Sequence, residues 1–313
     1  MSLESILGIG ESLIGDMASK KSEHAELWAY LELHREAVEA ELRSRVPKAP
    51  REVGTQFNQA AEYVLFSGGK RLRPALTLIG CEIVGGDADR ALPAAVASEF
   101  IHTSSLIFDD LPSMDNAPER RGVESLHSKF GEGLAVLVGL AFLNESYGLI
   151  YDCVDAPIEN RALALKETVD CIGPCGMIGG QAVDLAVARD DVGKRAPEEV
   201  RNLKTSALMR LTLVVGAILG GAKENQLEQL RAFAIALGEA YQISDDILDL
   251  QEDAAIFSGQ SKPMGLEEGI DKLKATLAQK VEYSKSILVA NFPDSTPRTC
   301  LLQLADYLCA REI

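Results

Sequence analysis

The segment that decides the fold reads Phe108-Asp109-Asp110-Leu111-Pro112-Ser113-Met114-Asp115-Asn116-Ala117-Pro118-Glu119-Arg120-Arg121-Gly122. It follows an apolar run, residues 91–111, whose Ala, Leu, Ile, Val and Phe residues recur at helical spacing. Because Pro112 cannot continue a helix, Asp109 and Asp110 are expected in its last turn, where the helix dipole disfavours carboxylates. Positive charge must compensate them, and Mg²⁺ held by carboxylates is the natural candidate.

A second acidic cluster lies far downstream, in the segment Gln242-Ile243-Ser244-Asp245-Asp246-Ile247-Leu248-Asp249. On a helix, Asp245, Asp246 and Asp249 share one face, within an arc of roughly 100°. A single cluster of this kind would also fit a solvated acidic face. Two clusters that each end an apolar helix favour a shared task. If they face each other, they would hold several divalent cations around a polyanionic ligand, which is metal-dependent diphosphate chemistry.

The composition argues against several classes of protein. The chain has 313 residues, of which 47% are hydrophobic and 25% charged, so it is globular with a large core. A net charge of −16 argues against partners such as nucleic acid and anionic membrane surfaces. We expect no membrane span and no secretory signal, because no uncharged apolar run is long enough and the N-terminus lacks a basic region. Six cysteines are too few for a disulfide scaffold in this length, and a cytoplasmic location fits.

Helical periodicity recurs along almost the whole chain, with short Gly or Pro breaks and no convincing strand pattern or repeat. The sequence therefore predicts an all-α fold in a single domain, residues 1–313. The predicted helices span residues 3–17, 27–42, 57–66, 74–84, 91–111, 133–153, 160–172, 177–188, 197–220, 227–250, 267–289 and 297–311. The 250s and early 260s are expected to form a loop. Cys171 and Cys175 lack further zinc ligands nearby and are expected to be small core residues.

The basic residues are few, and one group lies between two predicted helices. The segment Gly68-Gly69-Lys70-Arg71-Leu72-Arg73-Pro74 ends one helix and opens the next. Backbone amides at the helix start, together with Lys70 and Arg73, would form an anion site, although a cationic surface turn has the same sequence. His102 lies about two helical turns before Asp109 on the same face, which favours a phosphate contact over a structural role.

Other polar residues interrupt apolar helices or adjoin the acidic clusters. An unpaired lysine among leucines would be costly, so Lys204 is expected to have a partner. Each of these residues is a weak signal alone, but an anionic ligand would explain all of them. They are Arg120, Arg121, Gln181, Asp184, Lys204 and Thr205.

Taken in chain order, these motifs resemble those of the trans-isoprenyl diphosphate synthases over about residues 55 to 250. The matching elements are Gly69-Lys70-Arg71-Leu72-Arg73-Pro74, Ile101-His102-Thr103, Asp109-Asp110-x4-Asp115, Arg120-Arg121-Gly122, Gly179-Gly180-Gln181-x2-Asp184-Leu185, Lys204-Thr205 and Gln242-x2-Asp245-Asp246-x2-Asp249. The resemblance implies the isoprenoid synthase fold, a single large helical bundle around a central active-site cavity, and usually a homodimer. It implies an Mg-dependent prenyltransferase that condenses isopentenyl diphosphate with an allylic diphosphate.

The resemblance also implies roles for individual residues. Those expected to bind the isopentenyl diphosphate group are Lys70, Arg73, His102 and Arg121. The direct ligands of three Mg²⁺ ions would be Asp109, Asp115 and Asp245. The residues that orient metal-bound waters would be Asp110, Asp246 and Asp249. The contacts to the allylic diphosphate would come from Arg120, Lys204, Thr205, Gln181 and Gln242, with Asp184 in the same motif as Gln181.

Product length is expected to depend on residues about one helical turn before Asp109. Ser104 and Ser105 occupy the fifth and fourth positions before it. Bacterial farnesyl synthases that this chain resembles usually carry an aromatic residue at the fifth position, which blocks the growing tail. Ser104 leaves that floor open, and Phe100 and Ile101 could form a deeper one. The sequence therefore favours the C20 product geranylgeranyl diphosphate over C15.

Several positions depart from the family's pattern. Phe108 replaces a frequent His, and Leu140 replaces the Asp of a Gly-Asp-Ala-Leu-Leu motif. The segment after Asp249 lacks the usual Gly-Lys-Asp and Lys-x-Thr-Tyr-Pro elements, and Lys262 is the candidate to replace the missing lysine. These departures leave a second class open, a non-catalytic or weakly active regulatory subunit of a heteromeric prenyl synthase. Such subunits typically lose the aspartate clusters, which are intact here. A class I terpene cyclase shares the fold but generally has an Asn/Asp-Ser/Thr-Glu pattern at the second cluster.

Overall fold

The computed structural model describes residues 24–188, 203–256 and 266–310. Within these ranges the chain forms helices and one short hairpin, which confirms the all-α prediction. The elements are α1 (Ala25–Arg45), α2 (Arg51–Leu65), α3 (Leu72–Glu82), α4 (Ala88–Asp109), β1 (Glu119–Arg120), β2 (Val123–Glu124), α5 (Leu126–Phe130), α6 (Glu132–Tyr151), α7 (Ile158–Ile172), α8 (Met177–Ala188), α9 (Leu203–Leu219), α10 (Glu224–Ile256), α11 (Leu266–Asn291) and α12 (Thr296–Cys309).

Helix α4 is the central element of the bundle, packed by α1, α3, α6 and α9. Its middle is rich in alanine, and Ala91, Ala94, Ala95 and Ala97 are almost fully buried. Small side chains let the surrounding helices approach closely, so that nearly every face of α4 is covered. This burial places the last turn of α4, with its two aspartates, deep in the molecule.

Helices α3 and α9 cross at glycines. A Cβ atom on Gly216 would lie 1.9 Å from the carbonyl oxygen of Thr77, and one on Gly80 would lie 2.2 Å from that of Leu213. Any side chain at either position would push the two backbones apart. This contact matters for the site because α3 follows the basic turn, whereas α9 begins next to Lys204.

The segment after α4 folds back on the end of that helix. The backbone N–H of Asp115 donates to the carbonyl oxygen of Asp109 at 2.9 Å. Strands β1 and β2 then pair antiparallel around Arg121 and Gly122, whose φ angles are 56° and 76°. Two residues with positive φ are typical of the tight turns that match strand twist. The sequence pattern did not reveal this hairpin, because an Arg-Gly turn lacks the usual Asn-Gly signal.

The predicted helices are confirmed wherever the structure describes them, with ends shifted by a few residues. Two boundaries were wrong by six residues. Helix α2 begins at Arg51 instead of residue 57, and α10 continues to Ile256 and takes up part of the expected loop. The predicted helix 3–17, residues 197–202 and Lys262 lie outside the described residues. Cys171 is a core residue as expected, but Cys175 is exposed. The single domain over residues 1–313 stays a prediction.

Two described helices have the length and apolar composition of membrane spans, Ala88–Asp109 and Glu132–Tyr151. In the first, 72% of the apolar window is buried inside the protein, and in the second 39%. Two such helices are weak evidence for a membrane protein, because core helices pass the same test. The expected absence of a membrane span stays a prediction.

Candidate active site

The basic turn between α2 and α3 is built around Arg71. Its backbone is left-handed, with φ of 52°, and its side chain points into the protein. The guanidinium donates to Glu39 Oε1 at 2.7 Å, Glu99 Oε1 at 2.8 Å and the Leu65 carbonyl oxygen at 2.9 Å. Arg71 is thus occupied within the fold, and Lys70 and Arg73 on either side of it are the residues left for a ligand.

Three side chains near this turn keep buried polar atoms without a hydrogen-bond partner in the described part of the chain. Trp28, beside Lys70, does so through Nε1, Arg73 through Nε and His102 through both ring nitrogens. Burial lowers the pKa of Arg73 and, more strongly, that of His102, on which the neighbouring charges of Arg73 and Arg121 act in the same direction. Buried polar groups are nearly always hydrogen-bonded in proteins, so these atoms indicate a place for an anionic ligand.

The β1–β2 hairpin carries two arginines, one directed to the basic turn and the other to the aspartates at the end of α4. Arg121 donates from Nη1 to the carbonyl oxygen of Gly68 at 2.8 Å, which joins it to the basic turn. Arg120 donates from Nε to Asp110 Oδ1 at 2.9 Å, and this hydrogen bond raises the pKa of Arg120. Asp110 is 4% exposed, so its charge is balanced inside the protein rather than by solvent.

Asp109 is compensated by a lysine from another helix. Lys204, in the first turn of α9, donates to Asp109 Oδ2 at 2.7 Å and to Gln181 Oε1 at 2.5 Å. Burial raises the pKa of Asp109, and the hydrogen bond from Lys204 opposes that effect. Burial also raises the pKa of Asp184, and the charge of Lys204 opposes that effect. Asp184 therefore lies in the same cluster as Asp109, Gln181 and Lys204. The expectation that Lys204 has a partner is confirmed.

The second acidic cluster reaches the same end of α9. Thr205, next to Lys204, lies 3.5 Å from Gln242, between Oγ1 and Oε1, and Gln242 donates from Nε2 to Asp246 Oδ1 at 3.1 Å. Asp245 is half-buried and Asp246 exposed, while the side chain of Asp249 lies outside the described residues. Two adjacent residues of α9 therefore connect the aspartates of α4 to those of α10.

The donor set fits magnesium in the form that diphosphate enzymes use. In the described ranges, no three His, Cys, Asp or Glu side chains are grouped closely enough to hold an ion by themselves. Mg²⁺ is usually held by one or two carboxylates together with substrate phosphates and water, rather than by an all-protein cage. Asp109, beside Asp115, and the α10 cluster supply carboxylates of this kind. The sequence argument that the charge at the end of α4 needs compensation also holds, with Lys204 and Arg120 as the compensating groups in this state.

The residues expected to control product length lie where α4 contacts α6. Ser104 is 2% exposed and donates to the carbonyl oxygen of Gly139 at 3.0 Å. The ring of Phe108 fills the space at the same glycine, because a Cβ there would lie 2.9 Å from Phe108 Cζ. Ser105 is half-buried and donates to the carbonyl oxygen of His102 at 2.9 Å. A larger side chain at Ser104 would therefore displace α6, whatever it does to a product channel.

Sequence reasoning missed several residues around the basic turn. Lys70 is exposed, and its Nζ lies 5.3 Å and 5.8 Å from the ring centroids of Trp28 and Tyr307. No sequence signal brings these residues together, because they come from opposite ends of the chain. Glu99 could have been found, since it is a charged residue inside an apolar run. Glu39 lies on a mixed helix and carried no such signal.

Comparison with known proteins agrees with this arrangement. The polyprenyl synthetase family matches residues 55–269. The chain is 37% identical over 303 residues to geranylgeranyl pyrophosphate synthase 11, chloroplastic, of Arabidopsis thaliana, covering 90% of this chain and 82% of that protein. It is 37% identical over 267 residues to heterodimeric geranylgeranyl pyrophosphate synthase large subunit 1 of Arabidopsis thaliana, covering 83% and 68%.

Among solved structures, an FPP/GFPP synthase from Zymomonas mobilis matches with a TM-score of 0.78 and 28% identity, covering 91% of this chain and 99% of that one. The fold, the order of the motifs and these matches lead to one conclusion. The chain belongs to the polyprenyl synthetase family.

Proposed function

We propose that the protein is an Mg-dependent short-chain trans-prenyl diphosphate synthase, which condenses isopentenyl diphosphate with an allylic diphosphate. One observation carries the proposal: α3 and α4 bring a group of basic side chains with unpartnered buried nitrogens close to an acidic group. Arg73 and His102 belong to the first group and Asp109 to the second, where Lys204 pairs with it. Such an arrangement suits two diphosphates bound side by side, one by protein side chains alone and one through metal ions.

The cationic group is the proposed site for isopentenyl diphosphate. A diphosphate there would accept hydrogen bonds from Arg73 and His102, whose buried nitrogens otherwise have no partner among the described residues. Hydrogen bonds to a charged group are the strong ones, and burial strengthens them further. The residues proposed to bind this diphosphate are Lys70, Arg73, His102 and Arg121.

The acidic group is the proposed site for the allylic diphosphate with three Mg²⁺ ions. The proposed metal ligands are Asp109, Asp115 and Asp245, with Asp110, Asp246 and Asp249 orienting metal-bound waters. The proposed contacts to the allylic diphosphate itself are Arg120, Lys204, Thr205, Gln181, Asp184 and Gln242. Arg120 and Lys204 would then exchange a carboxylate for a phosphate as the substrate and its cations enter.

The reaction follows from the charges that develop in it. Breaking the allylic C–O bond places negative charge on the departing diphosphate, and Lys204 and Arg120 stabilise that charge most in the transition state. Mg²⁺, when bound, would neutralise part of the same charge. The isopentenyl double bond, oriented by Arg73 and His102, then attacks the allylic cation. The proton lost from the new cation goes to the departing diphosphate, and apolar helix faces exclude the water that would quench it.

We favour a C20 product, with C15 as the alternative. Ser104 is too small to block a growing tail, and the first aromatic contact further down α4 is Phe100 against Phe142, with ring centroids 4.9 Å apart. The Arabidopsis relatives are named geranylgeranyl pyrophosphate synthases, whereas the Zymomonas protein is named an FPP/GFPP synthase. These names support a short-chain product.

We further propose a cytoplasmic homodimer, with no nucleic-acid partner and no membrane span. Helix α6 exposes Leu137, Leu140 and Tyr151, each at least half exposed, within an arc of about 60° on one face. A second copy that packs on this face would cover these side chains. The family's usual dimerisation supports that reading. All six cysteines are free, which agrees with a reducing compartment.

The deciding assay uses purified protein, Mg²⁺, labelled isopentenyl diphosphate and dimethylallyl, geranyl or farnesyl diphosphate in turn. Prenyl product that disappears with a chelator supports the proposal, and the length of the extracted product separates C15 from C20. Asp109→Ala and Asp245→Ala should each abolish turnover without unfolding the protein. Absence of product from every primer, with isopentenyl diphosphate still bound, would identify a regulatory subunit instead.

A further inference from the structure

Two carboxylates lie beside a site built for an anion. Glu99 is 4% exposed on α4, one helical turn before His102, and Glu39 lies on α1. Negative charge at this place would repel a diphosphate unless it is already neutralised. Both carboxylates accept hydrogen bonds from the same side chain, Arg71, at 2.8 Å and 2.7 Å.

Arg71 connects four parts of the fold at one point. Through Glu39, Glu99 and the carbonyl oxygen of Leu65 it joins α1, α4 and the end of α2 to the start of α3, which Arg71 directly precedes. Its own backbone is in the left-handed region, which a non-glycine residue adopts only when its surroundings hold it there. The preceding Gly68 and Gly69 have φ angles of 114° and 133°. Because glycine backbones are flexible, these two residues do not fix the conformation of the turn by themselves.

The direction of the Arg71 side chain decides the directions of its neighbours. With Arg71 drawn inward, Lys70 remains at the surface, and Arg73 is placed in the first turn of α3 with its Nε buried near His102. Glu99 also acts on Arg73, because its charge opposes the effect of burial on the pKa of that guanidinium. The Glu99 carboxylate thus attracts the Arg73 guanidinium electrostatically, and the Arg73 Nε atom stays without a hydrogen-bond partner among the described residues.

We propose that Glu99 is a positioning residue for the isopentenyl diphosphate site: it holds Arg71 inward, and the anchored turn aims Lys70 and Arg73 at the diphosphate. Glu99 itself does not touch the substrate. Glu39 has the same role from the outer side, with a weaker effect because its side chain is 24% exposed and partly screened by water. The inference rests on the proposed function and deepens it.

The chain offers a matched control for this role. Glu167 is 3% exposed and accepts hydrogen bonds from Arg210 at 2.5 Å and Arg231 at 3.0 Å, where α7, α9 and α10 meet. It is a buried glutamate between arginines, like Glu99, but none of its partners belongs to the proposed diphosphate sites. Glu99→Gln and Glu167→Gln therefore remove the same charge from comparable surroundings.

The experiment compares steady-state constants for both substrates in the two variants. Glu99→Gln should raise the KM for isopentenyl diphosphate about tenfold, since one hydrogen bond to a charged group is weakened, and leave the KM for the allylic substrate unchanged. Glu167→Gln should lower the melting temperature but leave both KM values as in the wild type. Glu39→Gln should shift the isopentenyl KM in the same direction as Glu99→Gln, by about threefold.

Other outcomes overturn the proposal. An unchanged isopentenyl KM in Glu99→Gln, or an equal rise for both substrates, would make Glu99 a purely structural residue. If Glu99→Gln does not fold, the Glu39→Gln variant decides by the same comparison. A wild-type protein that neither turns over nor binds isopentenyl diphosphate in calorimetry overturns the proposed function itself. An active wild type with an unaltered Glu99→Gln variant overturns the positioning role alone.

Discussion

The unpartnered nitrogens of His102 predict that a single substitution separates stability from substrate binding. Each buried polar atom without a hydrogen bond costs about 1–3 kcal/mol, and both ring nitrogens of His102 are of this kind within the described residues. Leucine fills a similar space without polar atoms. We therefore expect His102→Leu to raise the free energy of unfolding of the ligand-free protein by about 2 kcal/mol, and its melting temperature by at least about 3 °C.

Binding should reverse this gain. Loss of one hydrogen bond to a diphosphate weakens isopentenyl diphosphate binding about tenfold. A ligand at a hundred times its Kd stabilises the folded state by about 2.7 kcal/mol, and a tenfold weaker ligand contributes about 1.4 kcal/mol less. At a saturating concentration of isopentenyl diphosphate, the free energy of unfolding of His102→Leu should therefore exceed that of the wild type by much less than without the ligand.

The dependence of stability on pH should also depend on His102. Because the folded-state pKa of His102 lies below its ordinary value of 6.5, the unfolded chain binds a proton first as pH falls. The free energy of unfolding of the wild type should therefore fall below about pH 6.5, by up to about 1.4 kcal/mol per pH unit from this group. His102→Leu should fall less steeply.

The assay is thermal unfolding followed by circular dichroism, with and without isopentenyl diphosphate, from pH 5 to 8. His34→Leu, on α1 beside Tyr30, is the control and should leave the isopentenyl KM unchanged. A His102→Leu variant that melts below the wild type without ligand would refute the reasoning. An unchanged KM for isopentenyl diphosphate would do the same for the binding role.

Four further outcomes follow from the site. Lys204→Met should reduce kcat at least about 100-fold, with isopentenyl diphosphate binding in calorimetry unchanged, and a near-normal rate would remove it from the allylic site. Isopentenyl diphosphate should draw Lys70 away from Trp28, the only tryptophan in the sequence, so the tryptophan fluorescence should change as the ligand is added. Lys70→Met should abolish this change, and constant fluorescence up to saturation would contradict a role of Lys70 in binding. Ser104→Tyr should shorten the product and lower the melting temperature, whereas Ser104→Ala should lower the melting temperature alone; unchanged length in the tyrosine variant would exclude a channel role. Leu137→Asp, on the exposed face of α6, should yield monomers in light scattering, and an intact dimer would place the interface elsewhere.

Local spacing was enough to predict the parts of the site that depend on single helices. Pro112 determines where α4 stops, so the position of Asp109 and Asp110 at its end could be read directly. The need for a partner at Lys204 also followed from the apolar surroundings alone. The identity of that partner required the fold, because Asp109 lies on a different helix.

Contacts between distant segments could not be predicted in this way. Arg71 finds its carboxylates on α1 and α4, and no periodicity links those positions. The hairpin was missed because Arg121 adopts a positive φ, which arginine rarely does and which the sequence therefore does not indicate. The end of α10 was placed too early because the acidic residues after Leu250 break the apolar pattern without ending the helix.

Arg120 and Arg121 are neighbours in sequence, yet one pairs with Asp110 and the other with the carbonyl oxygen of Gly68. Only four bonded backbone atoms, from one Cα to the next, separate the two side chains. A change in the backbone of this hairpin therefore alters the positions of both arginines, and with them both proposed diphosphate sites. A substitution in this hairpin that is designed to alter one site will therefore alter the other site as well.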